Sequence, residues 1–404
     1  MTRQSRCCIA GGGPAGMMLG VLLARAGVPV IVLEKHADFL RDFRGDTVHP
    51  STLELMHELG VLDDFLKLPH SELREIRGAI DGIEITLADL THLPVHCRFI
   101  AMVPQWDLLN FLAGFARRYS TFTLMMRADV VDVIERDGRI VGVRVQTADG
   151  LEDIHADLVV GADGRSSIVR TRAGLPIEDL GAPIDALWMR LSKKSGDDAV
   201  AAFGNVRRGR VFVMFDRGDY WQCAYVIAKG GFDELKRAGL DAFRAGIVEV
   251  VPFLADRVGE IGTWDDVKLL TVKVDRLTRW HRAGLLCIGD AAHAMSPVGG
   301  VGINLAIQDA VAAANLLYGA LRQGTPGDAQ LAAVQKRRMF PTRVTQAIQV
   351  AVQGQVLSRT LKGERSLALS LVIWLTRHLP IVRRIPARLV GMGVRPEHIG
   401  SPEI

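Results

Sequence analysis

Ser5-Arg6-Cys7-Cys8-Ile9-Ala10-Gly11-Gly12-Gly13-Pro14-Ala15-Gly16 is the stretch that decides the fold. Residues 5–10 read as a short buried strand, and the glycine turn follows at once. From Met17 to Ala26 the chain reads as an apolar helix ended by Gly27, and Val28 to Leu33 reads as the next strand, closed by Glu34. Strand, glycine turn, helix and strand make a βαβ unit of the kind that meets a dinucleotide pyrophosphate. Gly11 permits the tight turn, Gly13 lets a phosphate approach the backbone, and Gly16 lets helix and strand pack. The helix N-terminus offers free N–H groups and a partial positive charge. Glu34 lies 18 residues beyond Gly16, where a carboxylate accepts from ribose hydroxyls and disfavours a 2′-phosphate. A signal peptide is the competing reading of the apolar residues 7–24; the glycine-rich centre and the missing cleavage region argue against it.

Composition sets wide bounds. With 404 residues, 49% hydrophobic and 23% charged, the chain has room for two or three domains with ample core. A net charge of +4 is too mild to point to nucleic acid. The five cysteines (Cys7, Cys8, Cys97, Cys223, Cys287) show no C-x-x-C or C-x4-C pair, and most sit in predicted strands, so they read as buried thiols. No metal site is expected, nor a disulfide reductase. The longest late apolar run, Leu367 to Leu375, is far short of the roughly 20 residues that span a membrane, and a cytoplasmic location is expected.

Two further glycine-bearing motifs follow. One is Asp157-Leu158-Val159-Val160-Gly161-Ala162-Asp163-Gly164-Arg165. The other is Gly289-Asp290-Ala291-Ala292-His293, with Gly299-Gly300-Val301-Gly302 after it. Between the three lie a helix from about 50 to 59, a half-buried strand over 78–90, a helix over 104–118 and a meander over 127–160. Strands are predicted at Ala186–Leu191, Val211–Phe215, Tyr220–Ala228 and Val267–Val274, interrupted by one helix from Phe232 to Val250. Leu285 to Ile288 is another strand, Gly302 to Leu321 a long apolar helix, and the tail from 340 is helical and basic. The predicted class is α/β. Residues 1–75, 97–178 and 268–340 form a discontinuous nucleotide domain, 76–96 and 179–267 an interleaved strand-rich substrate domain, and 341–404 a C-terminal helical region.

In the order of its three motifs the chain resembles the single-component FAD-dependent aromatic hydroxylases, flavoprotein monooxygenases of the para-hydroxybenzoate hydroxylase fold. The resemblance covers nearly all of residues 5–330, and the tail matches only loosely through Arg395-Pro396-Glu397. It implies a Rossmann-type domain whose Gly11, Gly13, Ala15, Gly16, Glu34 and Lys35 hold the ADP half of FAD. Arg44 would lie along the flavin, Gln105 near the ribityl and phosphates, and the Val130 backbone at the adenine. The Asp163 motif is tied to both FAD and the reduced nicotinamide. Asp290 would bond a ribityl hydroxyl; its competing reading is a helix N-cap. Gly300, Val301, Gly302 and Ile303 would present a helix N-terminus to the flavin N1–C2=O edge and stabilise the anionic reduced ring. Pro297 would lie beside the face where oxygen adds, and Asn304 at the ring edge. Pro297 and Gly300 are thus the catalytic environment, with no side-chain acid or base assigned.

The implied activity oxidises NADH or NADPH, activates O2 as a flavin C4a-hydroperoxide and hydroxylates a phenol-like or heteroaromatic small molecule. Alternatives on the same fold are a quinone-precursor hydroxylase, a halogenase and a double-bond reductase. The Trp-x-Trp-x-Ile-Pro segment of such halogenases is absent, and no second GxGxxG marks a separate nicotinamide domain. Homodimers are common among the relatives.

Other polar candidates have plainer readings. His49 is expected to face solvent at a helix start. Alternation puts Tyr220 and Gln222 on one strand face and Trp221, Cys223 and Tyr225 on the other, as ordinary sheet packing. Trp188 and Arg190 share a face, with Arg190 read as a surface residue; His293 is read as satisfying local backbone. Arg365, Arg377, Arg383, Arg384 and Arg388 stand among apolar residues and Trp374. Such a tail can touch a membrane, but a helical layer packed on the FAD domain is the favoured reading.

Overall fold

The computed structural model describes residues 3–40, 47–197, 202–361 and 367–404. At its centre the strand Arg3–Ala10 lies between Val30–Glu34 and Gly150–Gly161, parallel to both. Phe122–Met126 extends the sheet in parallel beyond Val30–Glu34, and Leu285–Cys287 extends it beyond Gly150–Gly161. The antiparallel strands Asp129–Arg136 and Arg139–Thr147 complete an eight-stranded sheet with His281–Arg282. Its central strands are buried on both faces, as the apolar run Cys7 to Ala10 requires. The helices Pro14–Arg25 and Gly302–Gln323 pack on one another over this sheet.

The second sheet has seven strands in the order Lys268–Leu270, Ile184–Ser192, Tyr220–Ala228, Arg210–Asp216, Ala202–Arg207, Glu75–Ile80 and Ile83–Asp89. One face carries Leu187, Met189, Phe212, Met214, Trp221, Cys223 and Tyr225, packed against Phe243, Ile247 and Val250 of the helix Leu240–Val250. The plain packing expected for Trp221, Cys223 and Tyr225 is therefore what they do. Trp188, Arg190 and Phe215 project from the other face, where Trp188 and Phe215 stack with centroids 6.1 Å apart. Arg190 is exposed, with its guanidinium 4.9 Å from the Tyr220 ring centroid.

Several expectations need correction. The strand over 78–90 is a hairpin, Glu75–Ile80 and Ile83–Asp89, turned by Asp81 and Gly82 at φ 49° and 82°. Asp-Gly with two positive φ values is a favoured two-residue hairpin turn. The helix over 232–250 is two helices, Phe232–Ala238 and Leu240–Val250, because Gly239 at φ 93° breaks the ladder. Val267–Val274 keeps only Lys268–Leu270 as strand. Ala202–Arg207 is a strand the sequence did not signal, recruited between two better ones. The first helix begins at Pro14, whose missing N–H costs nothing in a first turn. The tail helices Leu367–His378 and Arg384–Gly391 pack on Ile83–Asp89 of the second sheet, where a layer on the FAD domain is the expectation.

All five cysteines are free and buried, as expected, and burial pushes the Cys8 thiol up to about 12. The segment Val298–Gln323 is long and apolar enough to cross a membrane, but 67% of its window is buried inside this fold.

Two glycines carry the central packing. A Cβ on Gly16 would stand 1.9 Å from the Gly11 carbonyl oxygen, and a Cβ on Gly11 would stand 2.3 Å from that of Ala162. Neither neighbour can yield, since both are backbone. Gly16→Ala is therefore expected to abolish soluble folded protein or to lower the melting temperature sharply; a variant with wild-type Tm would refute the contact.

Candidate cofactor and active site

The three motifs meet at one place. Gly11 lies against Ala162 and Asp163, and Gly289 lies against Ala15 and Ala306. Arg165 donates from Nε to Asp290 at 3.0 Å, joining the second motif to the third. The pair is partly exposed, 31% and 30%, so it contributes little to stability and leaves Asp290 within reach of a ligand. Asp290 sits in the turn Gly289–Ala291 rather than at the start of the long helix, so the N-cap reading falls.

Around the glycine turn the groups suit a dinucleotide. The helix Pro14–Arg25 leaves the Ala15 and Gly16 N–H groups outside its own ladder. A Cβ on Gly13 or on Gly164 would meet nothing within 4 Å, so both open onto empty space. Glu34, 8% exposed, accepts from the Gly12 and His36 N–H groups at 3.2 and 3.0 Å. Ala128 N–H donates to the Glu34 carbonyl, which sets Val130 beside that strand end, and Lys35 is exposed next to it. Gln105 opens the helix Gln105–Ala116, which packs on Pro14–Arg25. Arg44 lies outside the described residues.

Asp163 accepts from Val169 N–H at 3.1 Å while its Oδ1 is buried without a partner. Burial raises the Asp163 carboxyl above its ordinary range against the pull of the Ser167 and Val169 hydrogen bonds. An unmet acceptor is what a cofactor hydroxyl or ordered water completes.

The third motif forms a hinge of positive φ. Gly299 and Gly300 stand at φ 81° and 63° in the turn Val298–Gly300, and Gly302 starts the helix Gly302–Gln323. Val301 and Ile303 are half-buried at its mouth with Pro297. Thr47 donates to the Gly300 carbonyl at 3.1 Å. Asn304 Oδ1 accepts from the His49 N–H and Thr52 hydroxyl at 3.1 and 2.7 Å, and its Nδ2 is buried without a partner.

Two polar readings are overturned here. His49 is fully buried, not solvent-facing, and its Nδ1 lies 2.7 Å from the Val390 carbonyl. Only burial among neutral groups explains its pKa, lowered to about 4 against the modest upward pull of that hydrogen bond. His293 serves a carboxylate rather than local backbone: its Nε2 lies 2.5 Å from Asp309 Oδ2. Asp309 also accepts from Gly289 N–H at 3.0 Å and Arg338 Nε at 2.8 Å, and Arg338 continues to Glu397 at 3.2 Å. Burial pushes the Asp309 carboxyl up, and His293 and Arg338 together outweigh it, leaving it below its ordinary value. This buried network clamps the Gly289–Asp290 turn. An aspartate on the core side of an apolar helix was its one signal in the sequence.

Glycine cradle, free helix N–H groups, unmet Asp163 and Asn304 atoms and the exposed side of Asp290 together fit FAD. The chain belongs to the FAD binding domain family. That family matches residues 4–348. The 6-methylpretetramide 4-monooxygenase of Streptomyces rimosus is 34% identical over 385 residues, 94% of this chain and 91% of that one. A rifampicin monooxygenase of Streptomyces venezuelae is 30% identical over 313 residues, 75% of this chain but 61% of its own length. Among solved structures, the OxyS anhydrotetracycline hydroxylase from Streptomyces rimosus superposes with a TM-score of 0.76 at 22% identity, over 98% of this chain and 77% of that one. The resemblance to aromatic hydroxylases is borne out, and the chain is an FAD-dependent monooxygenase.

Gly13→Ala is expected to leave the fold and Tm of the apoprotein unchanged, because the added methyl meets only open space. FAD affinity should fall at least tenfold, roughly 1.4 kcal/mol, by fluorescence titration; unchanged affinity would remove the pyrophosphate from this turn. His49 gives a pH signature. Its folded pKa is depressed, so its contribution is complete above the unfolded value of 6.5 and is lost as pH falls toward about 4. Over that window wild type should lose about 3 kcal/mol more than His49→Phe, read from urea midpoints at a series of pH values.

Proposed function

We propose that this monooxygenase takes its electrons from NADH or NADPH and hydroxylates an aromatic small molecule, phenol-like or heteroaromatic. The carrying observation is the convergence of Gly11, Asp163, Arg165 and Asp290 beside the Gly299–Gly302 turn. Support for the substrate class comes from relatives named as monooxygenases of 6-methylpretetramide and rifampicin. When bound, FAD supplies hydride acceptance and oxygen activation, chemistry that no side chain provides.

In this reading each residue holds or orients. Gly11, Gly13, Ala15 and Gly16 hold the pyrophosphate at the helix N-terminus, with Glu34 and Lys35 toward the adenosine. Val130 meets the adenine with its backbone, Gln105 stands near the ribityl and phosphates and Arg44 along the flavin, and Asp290 accepts from a ribityl hydroxyl once Arg165 shares it. The N–H groups at Gly300, Val301, Gly302 and Ile303, with the dipole of the helix Gly302–Gln323 behind them, stabilise negative charge at the ring edge. Asn304 Nδ2 donates to that edge, and Pro297 borders the ring face.

The test is anaerobic mixing of purified protein with NADH or NADPH, with and without phenols, aryl carboxylates, 6-methylpretetramide and rifampicin. A compound that accelerates bleaching of the oxidised flavin band and returns with one added oxygen after O2 is admitted supports the reading. Bleaching by neither nicotinamide would overturn the electron source.

A further inference from the structure

From residue 367 to residue 396 the chain holds five arginines and no aspartate or glutamate. This stretch lies beyond the residues 4–348 that the family matches. Its helices Leu367–His378 and Arg384–Gly391 each rest one side on the strand Ile83–Asp89. Thr376 is buried on the first, and Ala387 and Gly391 on the second. The opposite sides are not polar, as a water-facing helix side would be. The turn Pro380–Arg383 runs into the second helix with helical backbone angles at Arg383 and Arg384, so Ile381, Ile385 and Leu389 recur every four residues along one face. Ile381 and Ile385 are 66% and 62% exposed, and Leu389 is exposed with them. Arg384 and Arg388 stand exposed on the same side. On the first helix Leu371, Trp374 and Arg377 are exposed at a three-residue spacing, and Leu379 is exposed in the link. A run of large apolar side chains kept in water marks a contact surface.

Charge identifies what covers it. Arg377, Arg384 and Arg388 form no ion pair among the described residues. On the strand beneath, Glu84 shares a surface cavity with Arg377 and Arg383, and Asp89 feels the charge of Arg383. Arg384 and Arg388 are left unanswered beside Ile381, Ile385 and Leu389. A second copy of the chain set on this face would bring guanidinium groups against guanidinium groups. A free anion would leave the apolar side chains wet. An anionic phospholipid bilayer meets both needs, with phosphates at the level of the arginines and acyl chains just below. Helices of 12 and 8 residues reach only about 18 and 12 Å, short of a hydrocarbon core of about 30 Å, so they lie along the surface and do not cross it.

We propose that residues 371–389 form a membrane-docking face. Trp374, Ile381, Ile385 and Leu389 enter the boundary between headgroups and acyl chains, and Arg384 and Arg388 meet the lipid phosphates. The second helix also carries Val390, whose carbonyl holds His49 beside the glycine turn. Val390 lies on the side away from Ile381 and Ile385, so the cofactor turn stands behind the docked face by about one helix diameter, roughly 10 Å.

The experiment uses the FAD-loaded protein and sedimented vesicles, one set of phosphatidylcholine and one of equal parts phosphatidylcholine and phosphatidylglycerol, with bound protein read from flavin absorbance in the pellet. Wild type is expected to partition onto the anionic vesicles about tenfold or more over the neutral ones, and the excess should shrink as salt is raised. Replacing both isoleucines, Ile381→Asp with Ile385→Asp, should weaken binding to anionic vesicles by about tenfold or more, since apolar burial is lost. Arg384→Gln with Arg388→Gln should bring the anionic preference to within about threefold, while Arg384→Lys with Arg388→Lys should keep most of it. Every variant should retain wild-type Tm and flavin content, because the replaced side chains are exposed. Absence of vesicle binding by wild type, equal binding to both vesicle sets, or binding that survives the double isoleucine replacement overturns the proposal. So does a wild-type dimer in sedimentation velocity that the isoleucine replacements dissolve, which would give this face to a second copy.

Discussion

Backbone touching backbone at Gly11 is the constraint on which the rest depends. The helix Pro14–Arg25 can approach its strand only because Gly16 places hydrogen, not carbon, against the Gly11 carbonyl; the next strand approaches because Gly11 does the same toward Ala162. With no side chain between them, the ends of three strands and the start of a helix crowd into one small volume. Unpaired N–H groups, strand-end carboxylates and empty space then coincide, and that coincidence is what a phosphate-bearing cofactor recognises. A single methyl at either position would push the motifs apart and disperse the site.

Charge is handled differently on the two sides of this place. Behind the cofactor turn a fully buried set, Asp309 with His293, Arg338 and Glu397, fixes the Gly289–Asp290 backbone. Buried charge is tolerated there because both carboxylates meet donors, Asp309 from His293, Arg338 and the Gly289 N–H and Glu397 from Arg338, and loss of one partner would leave an uncompensated charge. Toward the sheet the side chains are mixed: Phe215, Met102 and Val390 are apolar and His49 lacks its second proton, while the exposed Arg190 projects from the same sheet face as Trp188 and Phe215.

Much of this was legible in order along the chain. Cys7 to Glu34 gave strand, turn, helix and strand because periodicity and glycine placement act locally, and the later motifs did the same for their strand ends. The Asp81-Gly82 turn and the Gly239 break were also written in the sequence, yet they were read through, as apolar alternation on both sides masked single residues with positive φ. His49 was misread for a different reason. Helix-start histidines are usually wet, and nothing nearby in sequence announces that Val390, 341 residues later, supplies both its cover and its hydrogen bond. Arg338 and Glu397 gave no local sign at all of meeting Asp309.

The sequence by itself determined the βαβ unit, the three glycine motifs and hence the nucleotide-binding character of the chain, since each rests on conformations and hydrogen bonds made within a few residues. Tertiary structure alone decided which polar atoms are satisfied. The bare Nε2 of His49, the unpaired Nδ2 of Asn304 and the unmet Nε1 of Trp188 are defined by neighbours far away in sequence. Burial and pairing are properties of three-dimensional packing, and a linear pattern carries no record of the partner a side chain has found or of the place it leaves open.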